Sequence, residues 1–339
     1  MENTLPIPEK FLERNVAVDI LRALTMLLMI FVNDLWMAKG EPEWLGHAAS
    51  DEDFLGLADT VFPCFLFVVG MSIPYAIEKR FSQGKSGVST VAHILTRSLA
   101  LLIMGLFAVN TEGGISKDTG LTMPVFRLLM IVAFFLVWNN YPKTKSRSKT
   151  TYFVVLQIIG LALLVYLAII FRNRNGNVMQ PSWWGILGLI GWSYLVCAFV
   201  YLFARSRIKY LLTAWIVLIV LCLLKSNARI GEPFLNLPRG NAFDAMLDIF
   251  RIGNGAHPAL TMGGVLLSTV YVKYLSSEKY KKYLYFGAAF VALFAAGFIS
   301  HSYFITSKIQ ATPPWVLYCS AISVAMYALL MWLVEQGKA

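Results

Sequence analysis

Ten apolar runs, most of them close to twenty residues long, divide this 339-residue chain from end to end. They fall at 18–38, 56–77, 90–110, 122–138, 151–171, 183–203, 210–225, 256–275, 283–303 and 313–334, the seventh being short. A helix needs about 20 such residues to cross the hydrocarbon core of a bilayer. With no water there, each backbone polar group must be satisfied within its own segment, so runs of this length become helices. The pattern predicts an all-α polytopic membrane protein of about ten transmembrane helices. The charged fraction of 14 % agrees, since soluble domains carry about 25 %. The chain reads as one transmembrane domain over 1–339. Residues 1–17 are polar and are expected to form a cytoplasmic segment with no signal peptide, and 226–255 is a long non-cytoplasmic loop containing Pro233 and Pro238.

Basic residues set the expected orientation. Loops on the N-terminal side carry 17 Lys and Arg and those on the opposite side 9, while Arg22, Arg97 and Arg127 lie within spans. Both termini are therefore expected in the cytoplasm, with the loop holding His47 on the other face. The net charge of +10 follows from the same bias. Its scatter over short loops excludes a nucleic-acid surface. Cys64, Cys197, Cys222 and Cys319 all fall inside apolar runs, without metal-ligand spacing, and read as small buried hydrophobes. No metal site is expected.

Ionisable groups near the ends of membrane helices are costly and often functional. His47 lies between the first two spans, with Asp34 before it and Asp59 one turn into the second. Imidazole is the side chain whose ordinary titration falls in the physiological range, which suits a general base. A carboxylate at Asp59 could orient it. The plainer alternatives are a surface histidine and a structural aspartate. Asn33 offers a donor to an oxyanion, although a helix C-cap explains it equally simply. Asp19 and Arg22 share a helix face and are expected to pair. Arg97 and Arg127 need anionic partners within the membrane. A phosphate-bearing cofactor is one such partner, a helix carboxylate the other. His257 follows the Gly-rich stretch 251–256, where a helix N-terminus could meet anions or sugar oxygens, or simply open the eighth span. His301 and Lys308 sit at the outer end of the ninth span. Trp44, Trp183, Trp184 and Trp315, near outer helix ends, read as an interfacial belt that could also stack on sugars. An enzyme and a solute transporter both remain compatible with these residues.

The segment VDILRALTMLLMIFVND, followed by HA and then LADTVFPCFLFVVGMSIP, resembles the heparan-alpha-glucosaminide N-acetyltransferase family. The likeness is strongest over 14–80, with fainter echoes at 97–110, 123–129 and 313–327. It implies a transmembrane acyltransferase that carries an acetyl group from cytoplasmic acetyl-CoA to an amino sugar or glycan on the far face. It implies His47 as general base, Asn33 at the thioester oxygen and Asp59 holding the imidazole. Arg97 and Arg127 become expected contacts of the acetyl-CoA. Asp34, Trp44 and His257 become expected contacts of the acceptor. The implied setting is a bacterial cytoplasmic membrane with His47 toward the periplasm, and membrane lipids as surroundings. A homodimer stays open. Asp34 departs from the family, whose animal members have a tyrosine there. Short connections at 112–120 and 173–181 favour a small amino sugar or envelope glycan. The alternative is a transporter of an amino sugar or related solute.

Overall fold

A computed structural model of the chain describes residues 8–35, 40, 42–142, 144, 146–182, 185–227 and 252–337. Trp183, Trp184 and most of the 226–255 loop lie outside the described residues. Among the described residues ten helices match the ten apolar runs: α1 (Val16–Asp34), α2 (Leu57–Ser82), α3 (Gly87–Glu112), α4 (Met123–Trp138), α5 (Arg147–Ile170), α6 (Ile186–Ala204), α7 (Ile208–Lys225), α8 (Ala256–Val270), α9 (Lys281–His301) and α10 (Pro313–Gln336). Helix α8 runs directly into one π turn, Tyr271–Leu275. No strand occurs among the described residues. Among the described residues eight helices are long and apolar enough to cross a membrane; α4, at 16 residues, and α8, at 15, are shorter. This is a multi-pass, all-α membrane protein.

The chain divides into two compact units. The first comprises residues 1–95 and 192–339. Its most enclosed helix is α2, with 67 % of its apolar window buried, against 17 % for α7 and α9. A helix apolar all round belongs inside a bundle, and those with bare apolar flanks face lipid. Helix α2 lies almost in backbone contact with α8. A Cβ on Gly264 would fall 1.9 Å from the Phe67 carbonyl oxygen, and one on Gly70 1.8 Å from that of Thr261. Small residues at such crossings let membrane helices approach closely without an aqueous hydrophobic drive. Phe67, Val68 and Met71 of α2 then join Leu21, Phe286 and Tyr327 in one core.

The buried hydroxyls of mid-helix residues such as Thr25 and Ser323 bond back to their own helix carbonyls, while several charged and amide groups pair near helix ends. Asn15 caps α1 by accepting from the Val18 N–H, while its amide donates to the Tyr75 and Tyr327 hydroxyls. The expected Asp19–Arg22 pair forms at 2.5 Å. The buried Glu78 carboxylate near the end of α2 accepts from Arg205 at 2.8 Å and from the Tyr201 hydroxyl at 2.9 Å. A buried charge persists only with such partners.

The second unit, 96–191, is built around Phe107, Phe126 and Phe171, with Phe126 and Phe171 edge to face at 5.8 Å. Arg127 donates to the Thr111 backbone carbonyl at 3.1 Å. Arg97 is exposed on α3. The four cysteines are free and buried.

Candidate functional site

The loop from α1 to α2 doubles back on itself. Gly46 and Gly56 meet so closely that a Cβ on Gly56 would lie 2.2 Å from the Gly46 carbonyl oxygen. This closure brings His47 over the first turn of α2. There His47 Nδ1 lies 3.1 Å from Asp59 Oδ1, and the Ala48 N–H donates to Asp59 Oδ2 at 3.0 Å. The Asp59 side chain is 2 % exposed and that of His47 28 %. The carboxylate is thus buried and fully engaged, while the imidazole reaches solvent.

Asp59 is also held through its backbone, for a reason written four residues later. In an α-helix the carbonyl of residue 59 accepts from the N–H of residue 63. Residue 63 is proline, which has no N–H and pushes that carbonyl aside. The orphaned Asp59 carbonyl accepts instead from the indole N–H of Trp315 at 3.0 Å. Trp315 is fully buried, which corrects its expected place in an interfacial belt. Its N–H has a specific task inside the bundle, and buried indoles are found where such a partner exists. His257, partly buried on α8, packs between Trp315 and Phe62, with ring centroids 5.9 and 6.0 Å away. The turn before it is a helix opening: the Asn254 side chain accepts from the Ala256 N–H and donates to the Ala311 carbonyl.

A third charged group joins from the far end of the sequence. Lys308 Nζ sits 3.0 Å from His47 Nδ1 and 3.6 Å from Asp59 Oδ1. Burial pushes the Lys308 ammonium below its ordinary value, and the nearby Asp59 carboxylate pulls in the opposite direction. The α9–α10 connection that carries Lys308 is clamped to the His47 loop. Asp53 accepts from the Thr306 N–H at 2.7 Å and bonds His301 Nε2 at 2.8 Å. The Ser50 carbonyl accepts from Gln310 Nε2 at 2.6 Å and from the Ser307 hydroxyl at 3.2 Å. Ala311, at a positive φ of 50° unusual for a side chain with a Cβ, closes the turn by donating to the Lys308 carbonyl at 3.1 Å.

A cleft of about 650 Å³ opens beside His47. Val32 and Leu35 from the end of α1 form one side, and Glu43, Glu52 and Asp53 bring carboxylates to it. Asn33 and Asp34 are exposed on the last turn of α1, whose cap is Leu35 rather than Asn33. Trp44 is 61 % exposed beside cleft-lining Glu43. Of the residues singled out in the sequence, the structure gathers His47 and Asp59, with His257 packed edge to face on the Trp315 that bonds the Asp59 carbonyl. It places Arg97 and Arg127 in the second unit. Lys308 and Asp53 had no assigned role, and Trp315 had a different one. The signal available for Lys308 was its isolation as the only basic residue of the 304–312 loop.

Comparison with known proteins adds two findings. A family model described as "Domain of unknown function (DUF5009)" matches residues 14–229. The heparan-alpha-glucosaminide N-acetyltransferase of Mus musculus is 31 % identical over 134 residues, 37 % of this chain and 20 % of that protein. Its Homo sapiens counterpart is 33 % identical over 94 residues, 28 % of this chain and 13 % of that protein. The matched stretch thus spans a fifth or less of these curated relatives.

Proposed function

This chain belongs to the family described as Domain of unknown function (DUF5009), and from that premise we propose that it is a transmembrane acyltransferase with His47 as its general base. The donor is acetyl-CoA from the cytoplasm, and the acceptor is an amino sugar or amino-bearing glycan on the opposite face. The basic-residue bias of the loops puts His47 on that opposite face, which is the periplasm in a bacterial cytoplasmic membrane.

The observation that carries this reading is a partly exposed imidazole, tied to a buried carboxylate at 3.1 Å, at the edge of an acidic cleft. A carboxylate on Nδ1 fixes the ring and stabilises the imidazolium formed when the other nitrogen takes a proton. The carboxylates of Glu43 and Glu52 line the same cleft and favour a cationic acceptor such as a protonated amino sugar. A distant likeness to two N-acetyltransferases supports the choice of acyl group.

In the proposed step the bound amino group first releases its ammonium proton to solvent, and the free amine then attacks the thioester carbonyl while His47 Nε2 removes a second proton from the nitrogen. A C–N bond forms, the C–S bond breaks, and the imidazolium returns the proton to the departing thiolate. Asn33, next to cleft-lining Val32, is assigned the developing oxyanion. Direct transfer needs no acyl-enzyme.

The test is acetyl transfer from labelled acetyl-CoA to glucosamine by the purified chain. His47→Ala should lower turnover by about 100-fold or more, and Asp59→Asn by a comparable factor, with folding unchanged by size-exclusion profile. Native-rate transfer by His47→Ala would overturn the assignment. Uptake of labelled glucosamine into proteoliposomes without acetyl-CoA would favour a transporter instead.

A further inference from the structure

Two groups converge on one atom of a third. His47 Nδ1 has Asp59 Oδ1 at 3.1 Å and Lys308 Nζ at 3.0 Å, and those two partners are 3.6 Å apart. In a neutral imidazole, a given nitrogen either carries a hydrogen or offers a lone pair. An ammonium can only donate and a carboxylate can only accept. The two contacts therefore cannot both be hydrogen bonds while Lys308 is charged and His47 neutral. With Lys308 as an ammonium, it donates to Nδ1 and the ring hydrogen sits on Nε2. With Lys308 as an amine, Nδ1–H donates to Asp59 and Nε2 keeps its lone pair. Only the second arrangement offers a base at Nε2.

We infer that Lys308 is a positioning residue that selects the tautomer of His47, closing Nε2 as a base while charged and opening it when neutral. This deepens the acyltransfer reading and rests on it for its catalytic consequence. The proton count is simple. The ammonium gives one proton to solvent, the ring hydrogen moves from Nε2 to Nδ1, and the trio passes from net zero to one negative charge. The proton then taken from the acceptor restores net zero as imidazolium opposite Asp59.

Lys308 is placed for this role. Its side chain is 25 % exposed, and burial favours the amine. The turn that carries it is fixed by the Ala311 backbone, by Asn254 at 2.8 Å from the Ala311 carbonyl, and by Ser307 on Ser50. The other groups facing the pair are Cys319 on α10, and Glu43, Glu52 and Asp53 around the cleft, Asp53 being bound to His301 of α9.

The test uses full-length chain labelled with 15N-histidine in lipid nanodiscs. His47→Gln assigns the ring signals, and native protein, Lys308→Met and Lys308→Arg are compared from about pH 8, above the ordinary imidazole range, to about pH 11, a range that passes the ordinary lysine value. Native His47 should pass from the Nε2–H to the Nδ1–H tautomer as pH rises. Lys308→Met should show Nδ1–H throughout, and Lys308→Arg, permanently charged, Nε2–H throughout. With acetyl-CoA and glucosamine, Lys308→Met should extend activity to lower pH, whereas Lys308→Arg should lose about 100-fold at every pH. An unchanged tautomer in Lys308→Met, or native activity in Lys308→Arg, overturns the inference. A tautomer switch in chains that transfer no acetyl group would sustain the role of Lys308 and overturn the acyltransfer reading.

Discussion

Trp315 on α10 donates its indole hydrogen to the backbone carbonyl of Asp59 on α2, at 3.0 Å. The bond occupies the acceptor that Pro63 strips from the helix. Losing a buried hydrogen bond on one side only costs about 1–3 kcal/mol. Trp315→Phe should therefore lower the unfolding temperature and reduce activity by shifting the Asp59 carboxylate. Pro63→Ala restores an N–H to the helix and should recover part of the stability in the Trp315→Phe background. A thermal-unfolding double-mutant cycle in detergent measures this coupling; simple additivity would contradict it.

The contact of α2 with α8 leaves no room for a side chain at Gly264. Gly264→Ala places a methyl group 1.9 Å from the Phe67 carbonyl oxygen and must force the helices apart. The displaced partner is backbone, so relief is expensive, and a loss of about 2 kcal/mol or more is expected. Fluorescence-detected size exclusion after a temperature series should show an earlier loss of the monodisperse peak. A variant indistinguishable from native would refute the packing.

Asp53 ties the two halves of the site together without belonging to the His47 trio. Asp53→Ala removes the acceptor for Thr306 N–H and for His301. The loop carrying Lys308 should then drift relative to His47. Small misplacements of reacting groups can cost about 100-fold in rate, so turnover should fall by a factor of about 10 to 100 while the helical circular dichroism stays native. Far-UV spectra and acetyl-transfer kinetics on one preparation separate the two.

The buried Lys308 also makes stability depend on pH. Its folded value lies below the unfolded one, so between them the unfolded chain binds more protons. Stability contributed at this residue therefore rises with pH through that window, which ends near the ordinary lysine value of about 10.4. Below the window the full cost of burying the charge remains. Lys308→Met removes this slope. Unfolding temperatures of both proteins across alkaline pH should show native gaining on the variant as pH rises; a constant gap would contradict it.

The helices were legible because crossing a bilayer imposes a length and a composition that survive in any sequence. The His47–Asp59 contact was legible as a candidate because twelve residues and one loop separate the partners. What hid was long-range. Nothing local marks Trp315 as the partner of a carbonyl freed by Pro63, so its position near a helix end read as interfacial. Lys308 looked like an isolated loop cation, because its partners lie 249 and 261 positions earlier. Asn33 had a cap-like setting in sequence, yet α1 runs to Asp34 and is capped by Leu35, leaving the amide exposed on its last turn.

The reach between His47 and Lys308 has a consequence for how the protein is made. One partner emerges from the ribosome 261 residues before the other. Trp315, which steadies Asp59, comes later still. A nascent chain halted before Lys308 would hold inserted helices whose histidine has no complete set of neighbours. Competence arrives with the stretch that carries Lys308 and Trp315, so products stalled or clipped before it should be chemically silent.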